Sequence, residues 1–113
     1  MELPNKSKAY VSLEKITDYL LSETHAVGKS KARYFRSYGF DSGNTSQLVE
    51  GLLVIAQNTQ VTDSERSPYG TKYIVDGALD TPNGVMIRVR TIWIIEKGQN
   101  TPRFITAYPI EKE

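Results

Sequence analysis

Apolar residues recur every three or four positions through the first half of the chain; from Val61 onward they alternate with polar ones. Ser12 stands where a helix N-cap belongs, and Leu13, Ile16, Leu20 and Leu21 follow at helical spacing. This predicts a first helix from Leu13 to about Leu21. A second is predicted over about Lys29 to Tyr38, with Ala32, Phe35 and Tyr38 able to face a core and Gly39 as its C-cap. Asn44 and Gln47 match a capping pattern, and Leu48, Val49, Leu52 and Ile55 predict a third helix from about Ser46 to Gln57.

The second half reads as strands. Asp63 to Pro68 is polar and is expected to be a loop. Tyr69 to Leu79 reads as a strand, and Thr81-Pro82-Asn83-Gly84 as a hairpin turn whose Asn-Gly pair supplies positive φ angles. Val85, Ile87, Val89, Thr91, Trp93 and Ile95 alternate with Met86, Arg88, Arg90, Ile92, Ile94 and Glu96, a long strand with one apolar face. Lys97 to Pro102 is the next turn, and Arg103 to Pro109 the last strand. A short fourth strand is expected from Ala9 to Val11 or from Gln60-Val61. Helices followed by strands predict a single α+β domain over 1–113, its N-terminal helices packed on an antiparallel meander of three to four strands. The second sheet face, carrying Arg88 and Arg90, is left free to be wet.

Composition narrows the function without fixing it. With 113 residues, 39% hydrophobic and 24% charged, the chain is the size of one ordinary domain. A net charge of +1 argues against a strongly basic nucleic-acid coat protein and against a disordered acidic tail. The absence of cysteine excludes disulfides and thiolate metal sites, and a single histidine disfavours an imidazole-rich one. No metal or cofactor is expected. No apolar run reaches the roughly 18 residues of a membrane span, and the N-terminus lacks the apolar core of a signal peptide. The cytoplasm is the default location, and no membrane partner is expected. A toxin domain delivered by a separate carrier would read the same.

The charge is uneven. Lys29, Lys31, Arg33 and Arg36 fall within eight residues with no acid among them, whereas Asp41 to Glu65 holds four acids and no base. The basic cluster follows His25, in the run HAVGKSKARYF. P-loop, dinucleotide and nucleophile-elbow motifs are absent. What remains is His25, Lys31, Arg90, Thr106 and Tyr108 as candidate catalytic residues, with Lys29, Arg33, Arg103 and Tyr69 as candidate substrate-binding ones. Such groups suffice to cleave RNA without a metal. Histidine moves protons at the 2′-hydroxyl or the leaving oxygen, and lysine and arginine hold the scissile phosphate. Hydroxyls orient it, and aromatic rings stack on unpaired bases. Each residue also has a structural explanation. Lys29, Arg33 and Arg36 fit a solvated helix stripe, Arg90 and Arg103 fit cross-strand pairs with Asp76, Glu96 or Glu111, and Trp93 fits the core.

The runs HAVGKSKARYF, YGTKYIVD (69–76), RTIWII (90–95) and PRFITAYP (102–109) together resemble a family of small bacterial domains of unknown function, found alone and at the ends of polymorphic toxins. In that family the first motif usually reads His-Pro-x-Gly-x-His/Ser-Lys-Ala. Here His25, Gly28, Lys31 and Ala32 match, and Ala26 replaces the proline. The element order is similar, more distantly, to the barnase–EndoU–colicin–RelE class of metal-independent ribonucleases. That resemblance implies a site built from helix cations and late-strand hydroxyls. Two readings follow. One is a toxin-type domain that cleaves or binds RNA and is countered by a cognate inhibitor protein. The alternative is a non-catalytic interaction module, an adaptor or a partner in a toxin–immunity or phage-related system. No pattern in the chain specifies an oligomeric state.

Overall fold

The computed structural model describes residues 1–22 and 29–110, with Lys29 and Ser30 described by backbone alone. The order is α1 (Leu13–Lys15), continued by a π-helical turn (Ile16–Leu20), then α2 (Lys29–Ser37), α3 (Thr45–Asn58) and the strands β1 (Asp63–Ser67), β2 (Gly70–Asp80), β3 (Met86–Glu96) and β4 (Arg103–Pro109). The strands form one antiparallel sheet in the order β1-β2-β3-β4. The fold is therefore α+β, with helices on the N-terminal side of a four-stranded meander.

Ser12 caps α1 by accepting from the Lys15 N–H at 3.2 Å. The expected regular helix then widens: the Leu21 N–H reaches back five residues to the Ile16 carbonyl. Ile16, Leu20 and Leu21 are buried, and Leu13 is left 61% exposed. α2 ends as its sequence predicts, with Gly39 at φ 102 and the Phe40 N–H donating to the Phe35 carbonyl. Ahead of α3 the Asn44 side chain does not cap the helix. It pins the preceding loop instead, accepting from the Asp41 N–H and donating to the Gly39 carbonyl.

Two strand expectations are corrected. The segment Asp63 to Pro68, expected as a loop, forms β1 over Asp63–Ser67. All five of its residues are exposed, so no alternation marks it, and backbone pairing with β2 alone makes it a strand. The Ala9–Val11 strand shrinks to a single parallel bridge, Tyr10 to Arg103. The hairpin between β2 and β3 stands where expected, but only Gly84 takes a positive φ, 86°. Pro82 presets an ordinary turn, closed by the Gly84 N–H on the Thr81 carbonyl at 3.0 Å.

The core lies between α3 and one sheet face. Leu48, Leu52, Ile55 and Ala56 of α3 are buried against Val75 and Leu79 of β2. A Cβ at Gly77 would sit 2.9 Å from Ile55 Cγ2, so glycine is what lets the helix lie this close. Ile87, Val89, Thr91 and Trp93 of β3 also face inward, and Trp93 meets Phe104 edge-on at 5.4 Å. The buried polar atoms here are paired. Trp93 Nε1 donates to Thr91 Oγ1 at 2.8 Å, and that hydroxyl donates to the Val75 carbonyl at 2.7 Å.

Candidate functional site

Strand alternation sends every second residue to the face away from the core, and one irregularity decides which residues of β4 arrive there. The β3–β4 register slips between Ile92 and Trp93, so Phe104 pairs with Trp93 while Thr106 pairs with Ile92. One extra residue of β4, Ile105, is absorbed. Phe104 and Ala107 can then both be buried, while Thr106 and Tyr108 stand on the open face. Without the bulge Phe104 and Thr106, two apart, would share a side.

On that face a row of charged and aromatic groups crosses three strands. Asp76 of β2 lies opposite Arg90 of β3, and Arg90 lies opposite Tyr108 of β4. Arg90 Nε and Nη2 donate to the two Asp76 carboxylate oxygens at 2.8 and 2.9 Å, a bidentate pair. The hydrogen bond to Asp76 is the main cause holding the Arg90 guanidinium above its ordinary pKa, and the neighbouring Tyr108 raises it further.

Beyond β4 the helices complete the cluster. Lys31, in α2, donates from Nζ to Tyr19 Oη at 2.8 Å. Tyr19, in the π-helical turn, is 3.1 Å from Thr106 Oγ1. Lys31 Nζ lies 5.3 Å from the Tyr19 ring centroid and 5.9 Å from that of Tyr108, and Lys15 Nζ lies 5.1 Å from the Tyr19 ring. Burial pushes the Tyr19 phenol up, but the hydrogen bonds with Lys31 and Thr106 and the two lysine charges outweigh it, so its pKa falls below the ordinary tyrosine value. Among the described residues Lys31 has no carboxylate partner, so its charge is not spent on an ion pair.

Four of the residues singled out from sequence thus come together: Lys31, Arg90, Thr106 and Tyr108. His25 lies outside the described residues, as does the side chain of Lys29. Arg33 is exposed on α2, whereas Arg36 leaves the expected solvated stripe and donates from Nε to the Leu21 carbonyl at 2.9 Å. Arg103 pairs with Glu96 at 3.2 Å, both side chains well exposed. It stands opposite Ile94, roughly 13 Å along β3 from Arg90. Tyr69 is 78% exposed beside Gly70, which faces Glu96, so it stands about 20 Å along the strand from the cluster. Tyr19 and Lys15 were not singled out from sequence. Their spacing marks them only as helix residues, and nothing local records that the helix packs beside β4.

The cluster offers an ammonium, a guanidinium fixed by its carboxylate, two phenols and a hydroxyl. Such a set has the chemistry to bind and polarise an anionic oxygen. Among the described residues no group of three or more His, Asp or Glu is placed to hold a metal ion. Among them, too, no helix is long and apolar enough to cross a membrane.

No curated protein matches the chain. A solved contact-dependent growth inhibition toxin–immunity protein complex from Klebsiella pneumoniae 342 contains a chain of the same fold. The likeness has a TM-score of 0.71 at 17% identity, over 95% of this chain and 97% of that one. Residues 2–111 match a family described as a domain of unknown function, DUF6883, and the chain belongs to that family.

Proposed function

We propose that this chain is a toxin-type domain that cleaves RNA without a metal and is held in check by a cognate inhibitor protein. The observation that carries the reading is the meeting of Lys31, Thr106, Tyr108 and Arg90, from a helix and two strands, in one cluster on the open sheet face. The fold shared with a chain of a toxin–immunity complex supports the toxin setting and the inhibitor.

In this reading the RNA 2′-hydroxyl attacks the adjacent phosphorus, giving a 2′,3′-cyclic phosphate and a 5′-hydroxyl. The Lys31 ammonium, with no carboxylate partner among the described residues, stabilises the charge that grows on the phosphoryl oxygens. Thr106 orients the phosphate, and the Tyr108 ring offers a stacking surface for a base. Arg90 has two donors committed to Asp76, which largely offset its charge, so its part is to stand as a fixed neighbour of Tyr108 rather than to grip phosphate alone. His25 takes the proton from the 2′-hydroxyl.

The test is incubation of purified protein with total tRNA and a mixed single-stranded RNA in EDTA, beside His25→Ala and Lys31→Gln. Discrete fragments that both substitutions abolish support the reading. Intact RNA at stoichiometric wild-type protein refutes it. The exposed edge of β1, with its outer backbone groups unpaired in the sheet, favours the second reading of a non-catalytic docking module, and intact RNA would move the weight there.

A further inference from the structure

The proposed reaction needs two proton transfers, and the base assigned above accounts for only one. A base takes the 2′-hydroxyl proton; an acid must protonate the 5′-oxygen as its bond to phosphorus breaks. Resting on the RNA-cleavage reading, we infer that Tyr19 is a further catalytic residue of this site, the general acid that gives its phenolic proton to the departing 5′-oxygen.

The geometry singles out Tyr19 from the other hydroxyls. Its oxygen accepts a hydrogen bond from the Lys31 ammonium, which leaves its own O–H directed elsewhere. Thr106 Oγ1, the group assigned to orient the phosphate, lies 3.1 Å from that oxygen. An oxygen of a bound phosphodiester beside Thr106 is therefore within reach of the same proton. Lys31 at 2.8 Å and Lys15 over the ring are placed to stabilise the phenolate left behind. The lowered pKa of the phenol agrees with this placement. The step balances: O2′–P forms, P–O5′ breaks, the 2′ proton passes to the base and the Tyr19 proton to O5′. Solvent then takes the proton from the base and returns one to Tyr19.

The experiment compares Tyr19→Phe with wild type on one RNA oligonucleotide and on its twin carrying a bridging 5′-sulfur at the cleaved linkage. A thiolate leaves without being protonated. Tyr19→Phe is expected to slow the ordinary RNA by about 10²- to 10³-fold and the sulfur-bridged RNA by no more than a few-fold. Equal losses on both substrates, or no loss on the ordinary one, overturn the assignment while leaving RNA cleavage standing. Wild-type protein that leaves both intact overturns the cleavage reading and this inference with it. Thr106→Val keeps the phenol and serves if Tyr19→Phe does not fold; it is expected to slow both substrates alike. Rescue of Thr106→Val by sulfur would assign the acid to Thr106 instead.

Discussion

The two faces of the sheet are built from the same strands and obey opposite rules. The inner face carries Val75, Leu79, Val89, Trp93, Phe104 and Ala107, all buried against one another or α3. The buried hydroxyl on this face, Thr91, has both a donor and an acceptor partner. The outer face carries Asp76, Arg90, Thr106 and Tyr108, half-exposed; Arg90 is bonded to Asp76, Thr106 meets Tyr19, and Lys31 lies over the Tyr108 ring. Apolar burial gives the first face its strength, roughly 25 cal/mol for each Å² removed from water. The second face adds little to stability, because partly exposed ion pairs and hydrogen bonds are each worth about 1 kcal/mol. The difference teaches where chemistry can be kept. A face that need not be dry can hold an ammonium without a carboxylate partner and a phenol beside two lysines, at little cost to the fold.

The comparison breaks most sharply at Trp93. Trp93→Ala is expected to cost about 3–5 kcal/mol in urea unfolding, since it empties the centre of the inner face. A loss below about 1 kcal/mol would show that this face is not the source of stability. Lys31→Gln sharpens the other side. It is expected to lower RNA cleavage by about 10²- to 10³-fold while costing about 1 kcal/mol of stability through its bond to Tyr19. Comparable losses in both would make Lys31 a structural residue. Asp76→Ala comes next: it removes the carboxylate from Arg90 and is expected to cost about 1 kcal/mol, with cleavage reduced several-fold as Tyr108 loses a fixed neighbour. Arg103→Ala should do least. Its exposed pair with Glu96 is worth less than about 0.5 kcal/mol, and cleavage should stay at the wild-type rate.

The inner face was legible in the sequence because alternation writes burial directly into residue type. β3 and β4, the turn at Gly84 and the cap at Gly39 all stand where their residues put them. β1 was not legible. An edge strand exposed on both sides has no apolar period, and Asp63, Ser64 and Glu65 read as loop. The π-helical turn at Ile16 was hidden for the opposite reason: its apolar spacing fits an ordinary helix, and the extra residue is a choice of packing. The outer face was legible in part. Lys31 stood out from the basic run after His25, and Arg90, Thr106 and Tyr108 by type and strand parity. The cross-strand pair of Arg90 with Asp76 was visible as one of three carboxylates it could meet. Tyr19 was invisible, because its place depends on how the first helix seats beside β4, a contact between residues 87 apart in sequence.

The most direct measurement is the chemistry of the new RNA ends. Fragments produced in EDTA would be analysed by mass spectrometry and by their susceptibility to 5′-phosphorylation. A 2′,3′-cyclic phosphate and a free 5′-hydroxyl, lost with Lys31→Gln, are the predicted result. Intact RNA, or fragments ending in a 3′-hydroxyl and a 5′-phosphate, would contradict attack by the 2′-hydroxyl and with it the role assigned to the outer face.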